Sequence, residues 1–358
     1  MHLLVDISPH GYGHIAQTAP VVNALRERLP RLRVTVCSAA PRAVLASHFR
    51  GRFEMAEKPQ EPGLLMEDAM TVLPRPSFDA YAALHAHWDE QVERQARKLA
   101  ALRPDLVLSG AGYLALAAAR RAGLRAVGIG SFHWAAMFQH YCGAFEGAGE
   151  IVAQMLAAYR GATRFIALTP GMPMPEIECI RVGPVARLGR NRALELRARL
   201  GLEDQTRLAL VALGGIPMRL SSERWPRLAH LHWLVPRDWT TGGREDMAAF
   251  DALGMPFDDL LASVDVVLTK PGYGTFVEAA CSGAAVVTLA RPDWPESPYL
   301  LEWLQSSTRC AIIARERLDA EIGPAVEQLL AQPHPQAPDP TGAREAAKVL
   351  EALLNGVP

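Results

Sequence analysis

The sequence has few of the features that mark secreted, metal-binding or membrane proteins. Its five cysteines are odd in number and widely spaced, and no two of them form a Cys-x-x-Cys pair. This spacing argues against a disulfide framework and against a structural zinc site. No uninterrupted apolar run reaches the ~20 residues that a membrane-spanning helix needs. The first residues lack the pattern of a signal peptide, so we expect a cytoplasmic protein, with peripheral membrane contact through a surface helix left open.

The chain also lacks an excess of charge of either sign. Its 37 basic and 38 acidic residues give a net charge of −1 and are mixed along the sequence, with no basic or acidic tail. Balanced charge provides no general attraction for nucleic acid, so we expect no nucleic-acid partner. The sequence has no convincing Asp-x-Asp metal motif either. We therefore predict neither a bound metal nor a cofactor.

What the sequence does contain is a repeated alternation of short apolar runs with helical patterns, which is typical of parallel α/β structure. Apolar runs of this kind fit strands that helices cover on both faces. A length of 358 residues favours two domains. We predict strands at residues 3–8, 33–38, 105–109, 126–130 and 164–168 in the first half, and at 208–213, 230–235, 264–268, 285–289 and 311–314 in the second.

Two Pro-rich segments, residues 170–184 and 332–342, interrupt this alternation and are predicted to be connectors. We predict an α/β fold of two Rossmann-like domains, the first over residues 1–184 and the second over residues 185–335. The last segment, residues 343–358, has a helical pattern. Because it follows a Pro-rich link, it is able to fold back, and we assign it to the first domain.

The tripeptide Gly-Tyr-Gly occurs twice, each time between a predicted strand and a predicted helix. A Gly-rich turn at a helix N-terminus exposes backbone N–H groups and the positive end of the helix dipole, so each copy predicts an anion site. The first copy has the spacing of a dinucleotide-binding loop. That loop needs an acidic residue at the end of the second strand, where this sequence has Cys37, Ser38 and Ala39. A nicotinamide or flavin enzyme is therefore disfavoured.

The first copy, Gly11-Tyr12-Gly13, lies between His10 and His14. A histidine at a helix start is well placed to act as a general base at neutral pH, and the helix dipole would lower its pKa and keep it neutral. His14 is therefore our candidate catalytic residue. Two other interpretations stay open, with His14 as a capping or packing residue and His10 as an ordinary loop histidine.

The second copy is Gly272-Tyr273-Gly274. It follows Lys270 and leads into a helix that we expect to start at Thr275. The lysine precedes the glycines, so this is not a Walker motif. Thr275 is able to cap the helix or to bind a phosphate oxygen. Glu278 lies about one turn further along, where a carboxylate suits the two hydroxyls of a ribose; the alternative is an ordinary first-turn Glu that complements the dipole.

A third polar segment follows the next predicted strand, at the sheet edge where α/β proteins bind ligands. It contains Arg291, Asp293 and Glu296 among three prolines. Arg291 and Lys270 are candidate cations for a phosphate group. Asp293 and Glu296 are candidate partners for sugar hydroxyls, and the alternative for both is a solvated loop.

These residues together resemble the two-domain GT-B glycosyltransferases, in particular the peptidoglycan N-acetylglucosaminyltransferase and its relatives. The similarity covers most of the chain but rests on four short motifs, namely the loop that ends in Gly13-His14, the link at residues 182–187, the strand and turn that end in Gly214-Gly215, and the helix start at residues 272–283. Residues 270–304 are more similar still to the glycosyltransferase-like domain of plant-type sugar kinases, although the sequence contains no kinase domain.

The resemblance implies two facing Rossmann-like domains, with the last helix crossing back to the first. It implies a nucleotide-sugar donor, with UDP favoured, and an unknown acceptor that binds the first domain. The donor-binding residues that it implies are Gly214, Gly215, Lys270, Gly272, Tyr273, Gly274, Thr275, Glu278, Arg291, Asp293 and Glu296, with Phe257 at the nucleobase. On the acceptor side it implies His10, Gly11, Tyr12 and Gly13, with variable loops at residues 57–76 and 132–149.

The implied reaction is an inverting, metal-independent transfer of a hexose-type sugar, in which His14 deprotonates an acceptor hydroxyl. Two alternatives stay open. Nucleotide-sugar hydrolases have a similar loop, often with Arg three residues after the histidine, where this chain has Gln17. A non-catalytic nucleotide-sugar-binding protein would keep both phosphate loops and use His14 only for packing.

Overall fold

The architecture was read from a computed structural model. It describes residues 1–57, 61–216, 218–239 and 243–357. Residues 58–60, which belong to the predicted acceptor loop at 57–76, lie outside the described residues.

The chain divides into two compact units, each with its own sheet. Unit 1 comprises Met1–Glu67, Thr71–Val185 and Pro340–Pro358, and unit 2 comprises Asp68–Met70 and Ala186–Asp339. The chain therefore passes from one unit to the other after Val185, one residue beyond the end that the sequence predicts for the first domain.

Unit 1 is built on a seven-stranded parallel sheet with the order β3-β2-β1-β4-β5-β6-β7. The central strands are apolar and completely buried, as expected for strands covered on both faces. The strands are β1 (His2–Ile7), β2 (Arg33–Cys37), β3 (Glu54–Met55), β4 (Leu106–Gly110), β5 (Ala126–Gly130), β6 (Arg164–Leu168) and β7 (Cys179–Val182).

Unit 2 is built on a six-stranded parallel sheet with the order β10-β9-β8-β11-β12-β13. Its strands are β8 (Arg207–Ala212), β9 (Leu231–Val235), β10 (Met247–Ala249), β11 (Val266–Thr269), β12 (Ala285–Leu289) and β13 (Cys310–Ile313). One face of this sheet packs into an apolar core that includes Trp225, Trp233 and Trp239. The guanidinium of Arg244 donates hydrogen bonds to the carbonyls of Ser222 and Trp225 and so holds the backbone next to this core.

Helices connect many of the successive strands in the two units. In the part of the chain that the structure describes they are α1 (Gly13–Arg28), α2 (Arg42–His48), α3 (Pro74–His85), α4 (Trp88–Leu102), α5 (Leu114–Arg121), α6 (Trp134–Cys142), α7 (Ala148–Arg160), α8 (Ala193–Leu200), α9 (Phe257–Leu261), α10 (Tyr273–Cys281), α11 (Ser297–Ser307), α12 (Leu318–Ala331) and α13 (Gly342–Leu354). Within the described ranges, no helix is both long and apolar enough to span a membrane.

Helix α13 returns to unit 1 and packs along α1. Its buried residues recur every three or four positions and form one apolar face, which includes Ala343, Ala346, Leu350 and Leu354. Gly342 N–H donates to the carbonyl of Pro184 (2.9 Å), so the start of α13 is hydrogen-bonded to the end of the Thr71–Val185 segment of unit 1. The fold-back of the last helix that the sequence predicts is confirmed.

The ten predicted strands are all present, each within two residues at either end. The prediction was wrong for the connector at residues 170–184, because it contains strand β7, which pairs with β6 at the edge of the sheet. A short edge strand next to prolines has the composition of a loop, which explains the error.

The contact between α13 and α1 makes a prediction for stability. Leu350 is completely buried on the apolar face of α13, whereas Glu351 forms an ion pair with Arg28 at its exposed margin. Leu350→Ala should lower the unfolding free energy of unit 1 by about 2–5 kcal/mol. Glu351→Ala, the matched control, should cost no more than about 1 kcal/mol. Calorimetry of the unit 1 transition measures both, and equal effects of the two substitutions would show that α13 contributes no apolar packing.

Candidate functional site

The carboxyl edge of the unit 1 sheet carries the first Gly-Tyr-Gly copy, directly after β1. Gly11 has a φ of 64°, a left-handed conformation that favours glycine. Helix α1 then begins at Gly13, and no side chain within the described residues caps it. Tyr12 is 38% exposed, and a Cβ placed on Gly13 would meet no atom within 4 Å. The positive end of α1 is therefore open to a ligand.

His14 lies one residue into α1 and is buried, with 4% of its surface exposed. Its ring packs edge-on against Phe132 and Trp134, with ring centroids 5.5 Å and 5.7 Å away. Burial lowers the pKa of His14 to about 4, and a smaller effect of Gln17 opposes it. The imidazole is therefore neutral at pH 7. The lowered pKa that the helix position predicts is present, but its main cause is the loss of water around the ring and not the helix dipole.

His10 contacts the same indole ring. It is half-buried and packs edge-on against Trp134 at 5.1 Å between ring centroids. Trp134 is completely buried, and its indole N–H donates to Ser8 Oγ (2.8 Å), which holds the ring in place. The structure thus brings the two predicted histidines, His10 and His14, to one aromatic side chain.

A pair of buried carboxyl groups lies at the same edge and is missing from the sequence prediction. Asp6 is 2% exposed and Glu61 is 4% exposed. A Cβ placed on Gly112 would lie 3.0 Å from Asp6 Oδ2 and 3.2 Å from Glu61 Oε2, so both groups converge on this glycine. Glu61 Oε1 also accepts the backbone N–H groups of Tyr113 (2.7 Å) and Leu114, which caps the start of α5.

Burial is the main cause that raises the pKa of both Asp6 and Glu61, and the charge of Asp6 raises that of Glu61 further. Hydrogen bonds to the carboxyl groups oppose this shift without cancelling it. An acidic residue inside an apolar strand was a sequence signal for Asp6. No local signal marks Glu61, because its hydrogen-bond partner Tyr113 lies 52 residues further along the sequence.

The second Gly-Tyr-Gly copy lies at the carboxyl edge of the unit 2 sheet. Lys270 follows β11 directly, and a Cβ placed on Gly214 or Gly272 would lie 3.8 Å from its side chain. The two glycine turns therefore face the same side chain, Gly214 at its Cε and Gly272 at its amine. Burial lowers the pKa of Lys270 to about 8, the charge of Arg291 lowers it further, and Glu296 raises it.

The start of α10 differs from the prediction. Gly272 is the N-cap, and its carbonyl accepts the N–H of Phe276 (3.2 Å), so the helix begins at Tyr273 and not at Thr275. Thr275 therefore lies inside the first turn and is not the capping residue. The reason is that glycine is accepted at an N-cap almost as well as a hydroxyl residue. Tyr273 is buried, whereas Gly274 and Thr275 are half-buried.

Glu278 lies about one turn into α10 and is half-buried. It accepts a hydrogen bond from the backbone N–H of Arg187. Burial raises the pKa of Glu278 to about 7; the charge of Arg187 opposes this shift and that of Asp258 adds to it. Arg187 Nε lies 3.3 Å from Asp258 Oδ2. From the sequence, Arg187 is predicted only as the end of the link at residues 182–187.

The two candidate carboxylates after β12, Asp293 and Glu296, differ in exposure. Glu296 is 3% exposed and accepts the indole N–H of Trp294 (3.2 Å). The guanidinium of Arg291, itself 4% exposed, lies 4.2 Å from the centre of the same indole ring. Asp293 is exposed. Arg291 and Glu296 are therefore buried, and their charges act on the half-buried Lys270.

Three further predicted residues lie on the surface of unit 2. Gly214 and Gly215 are exposed just after β8. Phe257 is the first residue of α9, is 38% exposed, and packs against Phe250 with 6.2 Å between ring centroids. Across the ranges that the structure describes, no three His, Cys, Asp or Glu side chains are grouped to hold a metal ion.

The fold matches that of solved glycosyltransferase structures along nearly the whole chain. The spinosyn forosaminyltransferase SpnP superposes with a TM-score of 0.59 at 16% identity, over 100% of this chain and 96% of that one. A Listeria monocytogenes protein assigned as a UDP-N-acetylglucosamine 2-epimerase superposes with a TM-score of 0.55 at 16% identity, over 99% and 96%. The chain therefore has the GT-B glycosyltransferase fold, and the predicted fold class is confirmed.

A relation at the level of sequence links the chain to a plant sugar kinase. L-arabinokinase from Arabidopsis thaliana is 25% identical over 368 aligned residues, which cover 98% of this chain and 34% of the kinase. The chain thus spans about a third of that protein's length. The resemblance to plant-type sugar kinases is confirmed. No protein-family model matches the chain.

The buried carboxyl pair makes a prediction for the pH dependence of stability. Because burial raises the pKa of Glu61 above that of an unfolded carboxyl group, the folded state binds more protons, and stability falls as pH rises from about 4 to about 8. Glu61→Gln keeps an oxygen for the α5 start and removes the titration. Relative to the wild type, its unfolding free energy should rise by up to about 1.4 kcal/mol per pH unit in that window.

Calorimetry of the unit 1 transition between pH 5 and 8 checks this expectation. Glu67→Gln, at an exposed position of the same segment, is the control, and its unfolding free energy should change with pH in the same way as that of the wild type. A Glu61→Gln difference that stays constant with pH would show that Glu61 is ionised throughout.

Proposed function

We propose that the chain is an inverting, metal-independent glycosyltransferase that moves a sugar from a nucleoside diphosphate sugar, with UDP favoured, to a hydroxyl acceptor. The proposal assigns donor binding to unit 2 and activation of the acceptor to unit 1. The fold supports it, and so does the chemistry of the two Gly-rich edges. Fold alone does not choose the reaction, because the similar Listeria protein is assigned as an epimerase.

The observation that carries the proposal is the position of Lys270. Its side chain lies between the two glycine turns, with Cε on the side of Gly214 and the amine on the side of Gly272, next to the start of α10. A diphosphate at this point would receive backbone N–H groups from the helix start and a charge-assisted hydrogen bond from the amine. Arg291, whose charge lowers the pKa of Lys270, adds a second cation to the proposed site. Two cations match the two charges of a diphosphate diester.

The nucleoside half of the donor would extend along α10 towards α9. Glu278 offers a carboxylate about one turn beyond the phosphate turn, where it would accept both ribose hydroxyls. Phe257 offers a partly exposed ring for the nucleobase. The sugar half would lie on the other side, where Glu296 and Asp293 would accept hydrogen bonds from its hydroxyls. UDP is favoured because a protein of similar fold is assigned to a UDP-sugar.

In the proposed reaction, the acceptor oxygen attacks the anomeric carbon while His14 takes its proton. The bond between that carbon and the diphosphate oxygen breaks, and UDP leaves with the electron pair. Attack from the opposite side inverts the anomeric configuration. Lys270 and the N-terminus of α10 would stabilise the charge that develops on the diphosphate. His14 is neutral at pH 7 and therefore in the form that is able to accept the proton.

Binding of a panel of nucleotide-sugars tests the donor assignment. UDP-, GDP-, dTDP- and CMP-sugars should raise the melting temperature unequally, with UDP-sugars highest, because a ligand at 100 times its Kd adds about 2.7 kcal/mol to the stability of the native state. Lys270→Met removes the half-buried amine and should weaken UDP binding by roughly tenfold or more. In the wild type, affinity should fall as pH rises above about 8, where the free amine loses its proton.

Lys348→Met, at an exposed position of α13, is the matched control and should leave UDP binding unchanged. Titration calorimetry with UDP measures both variants. Wild-type affinity for UDP in Lys270→Met would exclude Lys270 from the donor site.

Turnover tests the role of His14. His14→Ala should reduce kcat by roughly 10²–10⁴-fold, the usual contribution of a general base, and leave UDP binding by unit 2 unchanged. UDP release is followed with a panel of hydroxyl acceptors and in water alone. His10→Ala is the comparison variant, with a smaller expected loss because His10 contacts the same indole but takes no proton in the proposed reaction.

The same assay separates the alternatives. Release of free sugar without an acceptor, in equal amount to UDP, would identify a hydrolase. Tight binding of UDP-sugar without any turnover would identify a non-catalytic binding protein. Near-normal turnover in His14→Ala would exclude His14 as the base.

A further inference from the structure

The segment that enters unit 2, residues 186–192, is held against α9 at close range. A Cβ placed on Gly189 would lie 2.2 Å from the carbonyl carbon of Asp258, so backbone passes directly over backbone there. The N–H of Arg190 donates to Asp259 Oδ1 (2.8 Å). The N–H of Arg192 donates to Ser263 Oγ (2.7 Å). This entry segment is therefore built into unit 2 and is more than a linker.

Arg187 extends the same contact to α10. Its guanidinium Nε lies 3.3 Å from Asp258 Oδ2, and its backbone N–H donates to Glu278. One residue therefore joins Asp258, next to the proposed nucleobase site, to Glu278, the proposed ribose ligand.

The charges around Glu278 have opposite effects on it. The positive charge of Arg187, in the entry segment, favours the ionised form of Glu278. The negative charge of Asp258, in α9, disfavours that form. On its own helix, Glu278 interacts with Cys281. Burial leaves the pKa of Glu278 at about 7 in the free protein. Loss of the Arg187 charge would therefore protonate Glu278 at neutral pH, and loss of the Asp258 charge would ionise it more fully.

We propose that Arg187 and Gly189 are positioning residues of the donor site, which hold Glu278 and α9 in place for the ribose and base of a nucleoside diphosphate. This inference rests on the proposed function. Arg187 acts through the ionisation and orientation of Glu278, and Gly189 acts through the position of α9. Neither has to touch the ligand.

The experiment is titration calorimetry with UDP between pH 5.5 and 8.5. Wild-type affinity should fall as pH decreases through about 7, because a protonated Glu278 accepts only one ribose hydroxyl well. Arg187→Gln should move this decrease to higher pH by roughly one unit and weaken binding at pH 7 by about tenfold. Asp258→Asn should move it to lower pH. The terminal phosphate of UDP also titrates here, but equally for every variant, so the differences between variants report Glu278.

Two further variants make the result specific. Arg187→Lys keeps the positive charge and should return the pH profile towards the wild type. Arg190→Gln changes an exposed side chain of the same segment, whose backbone makes the contact, and should match the wild type. Gly189→Ala should weaken UDP binding at every pH, because its added methyl group displaces α9 without changing any charge.

The outcomes separate this inference from the proposed function. A wild-type protein that binds neither UDP nor another nucleoside diphosphate would overturn both. If UDP binds and Glu278→Gln weakens it, but Arg187→Gln and Asp258→Asn leave the pH profile unmoved, the donor site stands and the role of Arg187 is wrong. Shifts of the two variants in opposite directions establish that role even if one of them is less stable.

Discussion

The loss of water around ionisable groups is the constraint on which the chemistry of both units depends. Burial favours the neutral form of His14, Lys270 and Glu278, each at the carboxyl edge of a parallel sheet. A ligand that carries its own charge changes this balance, because an anion beside Lys270 raises the pKa of its amine. Under the proposed function, the donor therefore completes the electrostatics of its own site. Lys270 and Glu278, with pKa values of about 8 and about 7, are the two groups whose protonation at neutral pH a bound diphosphate would change.

The two edges share a tripeptide but differ in chemical character. In unit 1, the turn lies among aromatic rings and two carboxyl groups, Asp6 and Glu61. In unit 2, the turn lies beside the cations Lys270 and Arg291. The same backbone geometry, a glycine turn before a helix, thus serves two electrostatic environments. Only the second environment has the charge expected of a phosphate site.

The sequence predicts the sheets well because their strands are continuous apolar runs, and β5, β6 and β12 match the structure at both ends. It locates the polar residues after those strands, since parallel strands bring their carboxyl ends to one edge. It fails where a property depends on distant residues. Glu61 meets α5 across 52 positions, and burial, which no local pattern reveals, sets the pKa of His14. The capping role predicted for Thr275 is wrong because Gly272 takes the N-cap position.

The return of the chain to unit 1, where Gly342 is hydrogen-bonded to Pro184, has a consequence for the order in which the two units are synthesised. Unit 2 is almost entirely one continuous stretch, Ala186–Asp339, inserted between two parts of unit 1. A ribosome therefore releases the whole of that stretch before α13 emerges to cover α1. Domains generally fold as units during translation, with the N-terminal one first. In this chain all strands of unit 2 are synthesised before the last helix of unit 1. The apolar face of α1 that α13 covers is therefore exposed while unit 2 folds.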